Sequence, residues 1–258
     1  GDWSSDVCSS DLWARLPAAL CATAGVAAVA WALRFQTSPS DSPRRASLRA
    51  TLAGTLLALS PGWIAFGHTA VHDIYLAVAI SLALLGYGIG LNDQASAGRI
   101  RLVSLWIGLW CGIGFLSKGL LGIGLPLVIL AVDALPRPTT RRQLLRPLPV
   151  LLFSIALLTV IGPWLAALIH AGRWDYLQGF LGFSNFERAT RAVDGHDQPL
   201  IFYLPVLLAL LWPWWPLLLS SLQQLWQRRR GWRQAQGLER LLQLAAIWLL
   251  ASLLLFTL

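Results

Sequence analysis

The stretch Leu102–Leu135 is LVSLWIGLWCGIGFLSKGLLGIGLPLVILAVDAL, and it contains Lys118-Gly119 near its middle. One membrane-spanning helix needs about 20 residues, with roughly 17–25 usual, so this stretch is too long for a single span. Division at Lys118-Gly119 gives two short helices that cross the membrane and return. We therefore predict a helical hairpin whose turn carries Lys118.

The basic residues support the same division. Fifteen of the twenty lysines and arginines lie in four breaks between apolar runs, at Arg34–Arg49, Asn92–Arg101, Asp133–Pro147 and Leu225–Arg240. Cytoplasmic loops of membrane proteins retain such an excess of Arg and Lys. A hairpin at Lys118 places all four breaks on one side, whereas a single span would separate the second break from the third. The charges therefore favour the hairpin and predict which side is cytoplasmic.

Composition and hydropathy predict an all-α fold, a polytopic transmembrane bundle of about eight helices. Hydrophobic residues make up 56% of the chain and charged residues 12%, which is too apolar for a soluble domain. Glycines at 108, 112, 114, 119, 122 and 124 are expected to allow close helix packing. The apolar runs are 13–33, 50–71, 74–91, 102–117, 119–133, 148–169, 201–221 and 241–258.

The apolar runs also decide what the net charge of +8 means. They split the basic residues into separate groups, so the chain has no continuous basic stripe and we expect no nucleic-acid partner.

The first twelve residues differ from the rest of the chain. Gly1–Leu12 is rich in Ser and Asp and has no basic residue, so it is not a signal peptide. We expect residues 1–12 to be unrelated to the fold. Residues 13–258 are predicted to form one transmembrane domain that is truncated at both ends, because the chain stops within an apolar run.

Polar residues collect on the side opposite the arginines. They come from three separate segments: His68–Asp73 at the end of the second run, Lys118 at the hairpin turn, and the aromatic-rich connection 170–199. Ionisable groups at membrane depth are costly and tend to be functional. Because three distant segments converge on one face, we predict a shared site there.

Each of these segments also has a purely structural explanation. His68 and His72 can be interfacial residues at a helix end, since a spacing of four is only a weak sign of a metal pair. Lys118 can extend its ammonium group to the interface with no ligand. Glu187 and Arg188 can form a solvated surface pair. These alternatives stay open at the level of the residues.

An ordered set of motifs resembles one family of membrane enzymes. In chain order, the motifs are Arg15-Leu-Pro-Ala-Ala-Leu, His72-Asp73-Ile-Tyr-Leu, Gly114-Phe-Leu-Ser-Lys118-Gly119-Leu-Leu-Gly-Ile-Gly-Leu-Pro126, Gly162-Pro163-Trp164, Phe183-Ser-Asn-Phe-Glu187-Arg188, His196-Asp-Gln-Pro199-Leu-Ile-Phe-Tyr203 and Trp212-Pro213-Trp214. Together they are similar to the GT-C membrane glycosyltransferases of family 39, of the protein O-mannosyltransferase and lipid A aminoarabinose transferase type. The resemblance covers nearly all of residues 13–258 and implies a GT-C-like fold.

The resemblance implies transfer of a sugar from a polyprenyl-phosphate carrier to a lipid, glycan or protein acceptor. The expected partners are this donor and the membrane lipids, and the expected location is the bacterial inner membrane, with the site facing the periplasm. Family members carry key carboxylates in an outer loop that precedes the span matching Ala14–Leu33. Gly1–Leu12 stands in place of that loop. The catalytic residues are therefore left unassigned, and we expect the chain to be inactive alone.

The anionic head of such a donor, together with the converging polar segments, predicts a set of substrate-binding residues. They are Asp73, Lys118, Arg188, Arg191, His196 and Tyr203. Lys118, Arg188 and Arg191 supply cations for an anionic donor head, and the arginines offer bidentate geometry. Asp73 is expected to orient the sugar or these cations.

A divalent metal ion is the one cofactor considered. Family members often have Glu-His-x-x-Arg where this chain has Ser184-Asn185-Phe-Glu187-Arg188, so the aligned His is missing. His196 is the remaining candidate ligand.

Two other classes of protein share the apolar helices and charges. A secondary transporter is the main alternative, but transporters usually show internal repeats and polar residues at the membrane midplane, and this sequence shows neither. A membrane-embedded scaffold without a transferase site is the other.

Overall fold

The structure, a computed structural model, describes residues 3–36, 42–69, 71–181, 200–227 and 229–255, and all regular structure within them is helical. The helices are α1 (Trp3–Phe35), α2 (Pro43–Ala58), α3 (Pro61–Gly67), α4 (Asp73–Gly90), α5 (Ala97–Lys118), α6 (Leu121–Ala134), α7 (Pro138–Leu144), α8 (Pro147–His170), α9 (Trp174–Leu181), α10 (Leu200–Leu210), α11 (Trp215–Gln227) and α12 (Gly237–Leu255), with a 3-10 helix at Arg229–Gln234. The predicted all-α fold is confirmed.

Within those ranges, five helices are long and apolar enough to cross a membrane. They are α1 from Leu12 onward, α4, α5, α8 and α12. Each matches one of the eight predicted runs. Helix α1 begins at Trp3, so it crosses the proposed domain boundary after residue 12 without a break. That boundary stays a prediction.

The other three runs depart from a single long helix. The run 119–133 forms α6, which has only 14 residues. The run 50–71 is divided into α2 and α3, which are bent by 63° and would give a sixth span if counted together. The run 201–221 is divided into α10 and α11. Pro61 and Pro213 lie at these two divisions, where proline cannot donate the backbone hydrogen bond that would continue a helix.

The hairpin predicted at Lys118 is present. Helix α5 ends at Lys118, and α6 returns alongside it. The two backbones touch at Gly114 and Gly122, where a Cβ on Gly122 would lie 2.0 Å from the Gly114 carbonyl carbon. Small residues permit this approach, as predicted. The packing prediction is wrong for Gly124 among the residues that the structure describes, since a Cβ there would meet none of their atoms within 4 Å.

Helix α5 also packs along α8, and the two helices are parallel. Gly108 faces the backbone of Phe153, and further along both helices Phe115 meets Trp164 edge to face. Because the contacts advance in the same direction, the starts of α5 and α8 lie at the same end. Helix α7 joins α6 to α8 and packs against α5, α6 and α8.

The two ends of α4 define the two ends of the bundle. Asp73, its first residue, pairs with Lys118 at the hairpin turn. At the other end, the backbone carbonyl of Leu91 accepts a hydrogen bond from Arg240. Helix α4 has 18 residues, and a rise of about 1.5 Å per residue separates these contacts by about 27 Å. We call them the Lys118 end and the arginine end.

The four basic breaks meet at the arginine end. Arg240, in the fourth break, donates to the carbonyl of Leu91, the residue directly before the second break. Arg137, in the third break, donates to the carbonyl of Trp232 at 2.7 Å. In the first break, Gln36 accepts from Arg49 at 2.7 Å and lies beside Gly237. The predicted gathering of the breaks at one end is therefore confirmed for the described residues.

A buried ion cluster fixes the arginine end. The carboxylate of Asp133 is fully buried and pairs with Arg137 and Arg240. It accepts a hydrogen bond from the hydroxyl of Tyr87 at 2.7 Å and one from Arg240 at 3.2 Å. The guanidinium of Arg240 also lies over the Tyr87 ring, 4.6 Å from its centroid. We call Tyr87, Asp133, Arg137 and Arg240 the Asp133 cluster.

The two arginines carry this cluster into neighbouring segments. Arg137 donates at 2.7 Å to the Gln243 side-chain oxygen, in addition to the Trp232 carbonyl. Arg240 donates to the Leu91 carbonyl. The cluster thereby joins α4, α6, α12 and the 3-10 helix, so two arginines counted as orientation signals are also internal structural residues.

We expect Asp133→Ala to lower the melting temperature of the detergent-purified protein strongly. Both arginines would remain buried without a carboxylate, and breaking a buried pair in this way costs about 3–5 kcal/mol. Circular dichroism against temperature measures the effect. Asp93→Ala removes an exposed carboxylate and is the control, expected to leave the melting temperature unchanged. Equal melting temperatures for D133A and the unsubstituted protein would contradict a structural role for the cluster.

We also expect Gly122→Ala to destabilise the hairpin although alanine is the better helix former. The new Cβ would overlap the backbone of Gly114, and overpacking typically costs about 1–3 kcal/mol. Gly124→Ala, in the same helix, is the matched control and should be neutral or stabilising because its Cβ meets open space. Thermal unfolding of both variants tests the pair, and the same sign for both would refute the close contact.

Candidate functional site

The Lys118 end holds an ion pair between two predicted site residues. The ammonium group of Lys118 donates to the carboxylate of Asp73, and their side chains are 32% and 37% exposed. Ser117 donates from its hydroxyl to the backbone carbonyl of His72 at 2.8 Å. These two adjacent contacts tie the last turn of α5 to the start of α4.

Helix ends favour both charges where they stand. Lys118 occupies the last turn of α5, and Asp73 the first turn of α4. The negative end of a helix dipole favours a cation, and the positive end favours an anion. An ammonium group has three donors, of which Asp73 takes one among the described contacts. Lys118 is therefore a positioned, partly exposed cation that can still approach an anionic ligand.

The hairpin turn depends on the backbone of Gly119. This residue has φ 63° and ψ −141°, a conformation that suits glycine and that other residues rarely adopt. Its N–H caps α5 by donating to the carbonyl of Phe115 at 2.7 Å. The conformation ends α5 at Lys118 and so fixes where the ammonium group leaves the helix.

Three aromatic rings pack together one turn below Lys118. Phe115, Trp164 and Phe180 contact one another at ring-centroid distances of 5.2–6.2 Å, all close to edge-to-face. Such aromatic contacts stabilise beyond the area they bury. They attach α9 to α5 and α8, so α9 lies near the Lys118 end. Of the aromatic residues in the segment 170–199, Phe180 is packed, while Trp174 and Tyr176 are exposed.

The remaining predicted site residues are not brought into this pair. Arg188, Arg191 and His196 lie outside the described residues, and Tyr203 is placed only by its backbone, in α10. Their grouping with Lys118 and Asp73 therefore stays a prediction.

His68, His72 and Asp73 are not arranged as a group of three metal ligands. His68 is exposed, and its Nδ1 lies 2.9 Å from the backbone carbonyl of Ile64. In the described parts of the chain, no group of three or more His, Cys, Asp or Glu side chains could hold a metal ion. The proposal for His196 is not tested by this, because that residue lies outside those parts.

Sequence reasoning missed the buried role of Asp133 and its two arginines. One local signal was available: Asp133 and Arg137 are four residues apart, a spacing that brings side chains together on a helix. The partners from α4 and α12 had no such signal.

Comparison with known proteins finds relatives of one kind. No protein-family model matches the sequence. The undecaprenyl phosphate-alpha-4-amino-4-deoxy-L-arabinose arabinosyl transferase of Pseudomonas aeruginosa (strain UCBPP-PA14) is 36% identical over 216 residues, which covers 81% of this chain and 36% of that protein. The protein of the same name from Pectobacterium carotovorum is 31% identical over 211 residues, covering 81% and 35%. The chain thus spans little more than a third of these relatives.

The fold has known counterparts as well. The crystal structure of ArnT from Cupriavidus metallidurans bound to undecaprenyl phosphate matches with a TM-score of 0.74 and 25% identity, over 95% of this chain and 41% of that one. Its apo state matches with a TM-score of 0.71 and 24% identity, over 94% and 40%. The predicted GT-C-like fold is therefore confirmed.

We expect Gly119→Ala to displace the hairpin turn and to weaken the Lys118–Asp73 contact. A side chain in this backbone region costs on the order of 1–3 kcal/mol. Thermal unfolding measures the loss of stability, and the rate of amine labelling at Lys118 measures its exposure, which should rise. Gly98→Ala, in the first turn of α5 with open space around its Cβ, is the control and should change neither quantity. If Lys118 in G119A is labelled at the same rate as in the unsubstituted protein, the turn at Gly119 does not position its ammonium group.

Proposed function

Since the chain belongs to the GT-C membrane glycosyltransferases of the lipid A aminoarabinose transferase type, we propose that it serves the transfer of a sugar from a polyprenyl-phosphate carrier to an acceptor. The observation that carries this proposal is the partly exposed Lys118–Asp73 pair at the end of the bundle opposite most of the arginines. The relatives are named for an undecaprenyl phosphate-linked aminoarabinose. We propose that donor here, with lipid A as acceptor.

The proposed reaction is displacement at the anomeric carbon of the sugar. An acceptor oxygen forms a bond to that carbon while the bond to the carrier phosphate oxygen breaks, and its electron pair stays on the phosphate. The acceptor proton passes to a base, which the family resemblance places in an outer loop before the first span and which we assign to no residue of this chain. Negative charge grows on the leaving phosphate, so a fixed cation beside it lowers the barrier.

Lys118 is proposed as that cation, and Asp73 as its positioning partner. The donor head is anionic, and a partly exposed ammonium group can add a phosphate oxygen to its existing contact with Asp73. Arg188 and Arg191 are proposed as further cations. His196 and Tyr203 complete the proposed substrate-binding set.

The proposed metal role of His196 is kept separate from this mechanism. No group of three or more ion ligands lies among the described residues. The family resemblance supports His196 as the proposed ligand of a divalent ion.

The chain is a multi-pass integral membrane protein. We propose the bacterial inner membrane, with the arginine end in the cytoplasm and the Lys118 end facing the periplasm. The support is the excess of arginine at one end, which marks cytoplasmic loops. A lipid-linked donor then meets its cation at the outer boundary of the bilayer.

We expect Lys118→Gln to weaken binding of undecaprenyl phosphate by about tenfold, because a charge-assisted hydrogen bond is worth about 1.5–3 kcal/mol and this one is partly exposed. Lys118→Arg keeps the charge and should retain most of the affinity. The measurement is microscale thermophoresis of the chain in lipid nanodiscs, titrated with undecaprenyl phosphate.

Arg173→Gln is the matched control for this experiment. Arg173 is an exposed cation that follows α8 and pairs with Asp175 at 3.5 Å, so its loss should leave the affinity unchanged. Equal affinities of the unsubstituted protein and K118Q would overturn the proposed role of Lys118, as would an equal loss in R173Q.

A further inference from the structure

A second charged surface lies at the arginine end, about 27 Å along α4 from the proposed donor site. It consists of exposed arginines from the start of α5, from α7 and from the residue before α8: Arg99, Arg101, Arg141, Arg142 and Arg146. We call these five residues the α7 surface. Their side chains make no ion pair or hydrogen bond within the described part of the chain.

The packing of α7 holds these arginines outward. Thr140 and Gln143 of α7 are 1% and 7% exposed, so they form its inner face. Arg141 and Arg142 lie between them in sequence and are exposed. Helix α7 packs against α5 and α8 and leads directly into α8. Since α5 and α8 both start at the arginine end, the five arginines come from elements that meet there.

The charge of this surface is not neutralised from inside. Asp133, the acidic residue that precedes α7, is fully buried and engaged by Arg137 and Arg240. The parallel arrangement of α5 and α8 adds the positive ends of two helix dipoles at the same place. Asp93 is the exposed carboxylate on the connection before α5, and it is outnumbered by the five arginines.

Large apolar side chains are exposed among the arginines. Leu135 and Leu145, on either side of α7, are 62% and 69% exposed, and Leu102 beside Arg101 is 68% exposed. Leucine next to arginine suits the boundary of a bilayer, where acyl chains meet headgroups. A free anion in water would gain nothing from these leucines, whereas a lipid would contact both residue types.

We propose that the α7 surface binds a phospholipid with two phosphate groups, of the cardiolipin class, from the leaflet at the arginine end. Arg99 and Arg101 supply guanidinium donors from two sides of the start of α5, and Arg141, Arg142 and Arg146 supply a second set from α7 and the residue before α8. Guanidinium groups bind phosphate in bidentate fashion, and basic surfaces between transmembrane helices bind such headgroups. This inference does not depend on the proposed sugar transfer.

Native mass spectrometry of the detergent-purified chain tests the proposal. Tetraoleoyl cardiolipin is titrated in parallel with phosphatidylglycerol at twice the concentration, which equalises the phosphate charge. We expect cardiolipin to bind about tenfold more tightly than phosphatidylglycerol, since two linked phosphates engage two groups of donors. Equal affinity for the two lipids would overturn the diphosphate site.

The variants separate a local site from total charge. The triple change Arg141→Ser, Arg142→Ser and Arg146→Ser should reduce cardiolipin affinity by about tenfold or more. The matched control Arg34→Ser, Arg44→Ser and Arg45→Ser removes the same charge from exposed positions of another break, and it should stay within about twofold. Equal loss in both triple variants would overturn the proposal.

A third variant keeps the charge in case the serine protein fails to fold or inserts differently. Changing Arg141, Arg142 and Arg146 to lysine preserves the orientation signal but removes the bidentate donors, so we expect a loss of several-fold in cardiolipin affinity. Unchanged binding in the lysine variant would refute recognition by guanidinium. Displacement of cardiolipin by inorganic pyrophosphate at equal concentration would show a soluble anion site and overturn the lipid assignment.

Discussion

One buried carboxylate faces two buried guanidinium groups at the arginine end, and the arrangement of the bundle depends on it. Removing three charged side chains from water is costly, so the cluster is tolerated only because its charges are paired and most of its polar atoms are hydrogen-bonded. Asp133 accepts from Tyr87 on α4, from Arg137 between α6 and α7, and from Arg240 on α12. The two arginines also donate to the backbone carbonyls of Trp232 and Leu91. In a bilayer the hydrophobic effect does little to determine which apolar helices pack together. The Asp133 cluster provides that specificity through ion pairs and hydrogen bonds.

Helix α4 connects the Asp133 cluster to the Lys118 end. Its far end is fixed through Tyr87 and Leu91, and its first residue, Asp73, meets Lys118. The hairpin supplies the other half of the contact, because Gly114 and Gly122 let α5 and α6 touch and Gly119 ends α5 at Lys118. The proposed donor cation is thus positioned by one glycine-based turn and one distant ion cluster.

The sequence predicted those features that depend on local chemistry. Lys118-Gly119 in an overlong apolar run predicted the hairpin, and the distribution of arginine predicted which connections meet. Asp73 and Lys118 were predicted to share one site, but their direct contact and the link from Asp133 to Arg240 were not predictable, because residues 45 and 107 positions apart in the chain meet only through packing. The break at Pro61 was missed because averaging hydropathy over a long run conceals a single proline. The family resemblance supplied the GT-C-like fold, whereas the distribution of polar residues indicated Asp73, Lys118 and the segment 170–199.

The shortness of α6 has a consequence for the shape of the surrounding bilayer. Its 14 residues extend about 21 Å, against roughly 30 Å for a hydrocarbon core. Either the turn at Lys118 or the cluster at Asp133 must therefore lie below the headgroups, or the lipid must thin locally to meet them. Each alternative brings water and polar headgroups toward the charged side chains, so the bilayer is locally thinner beside the hairpin.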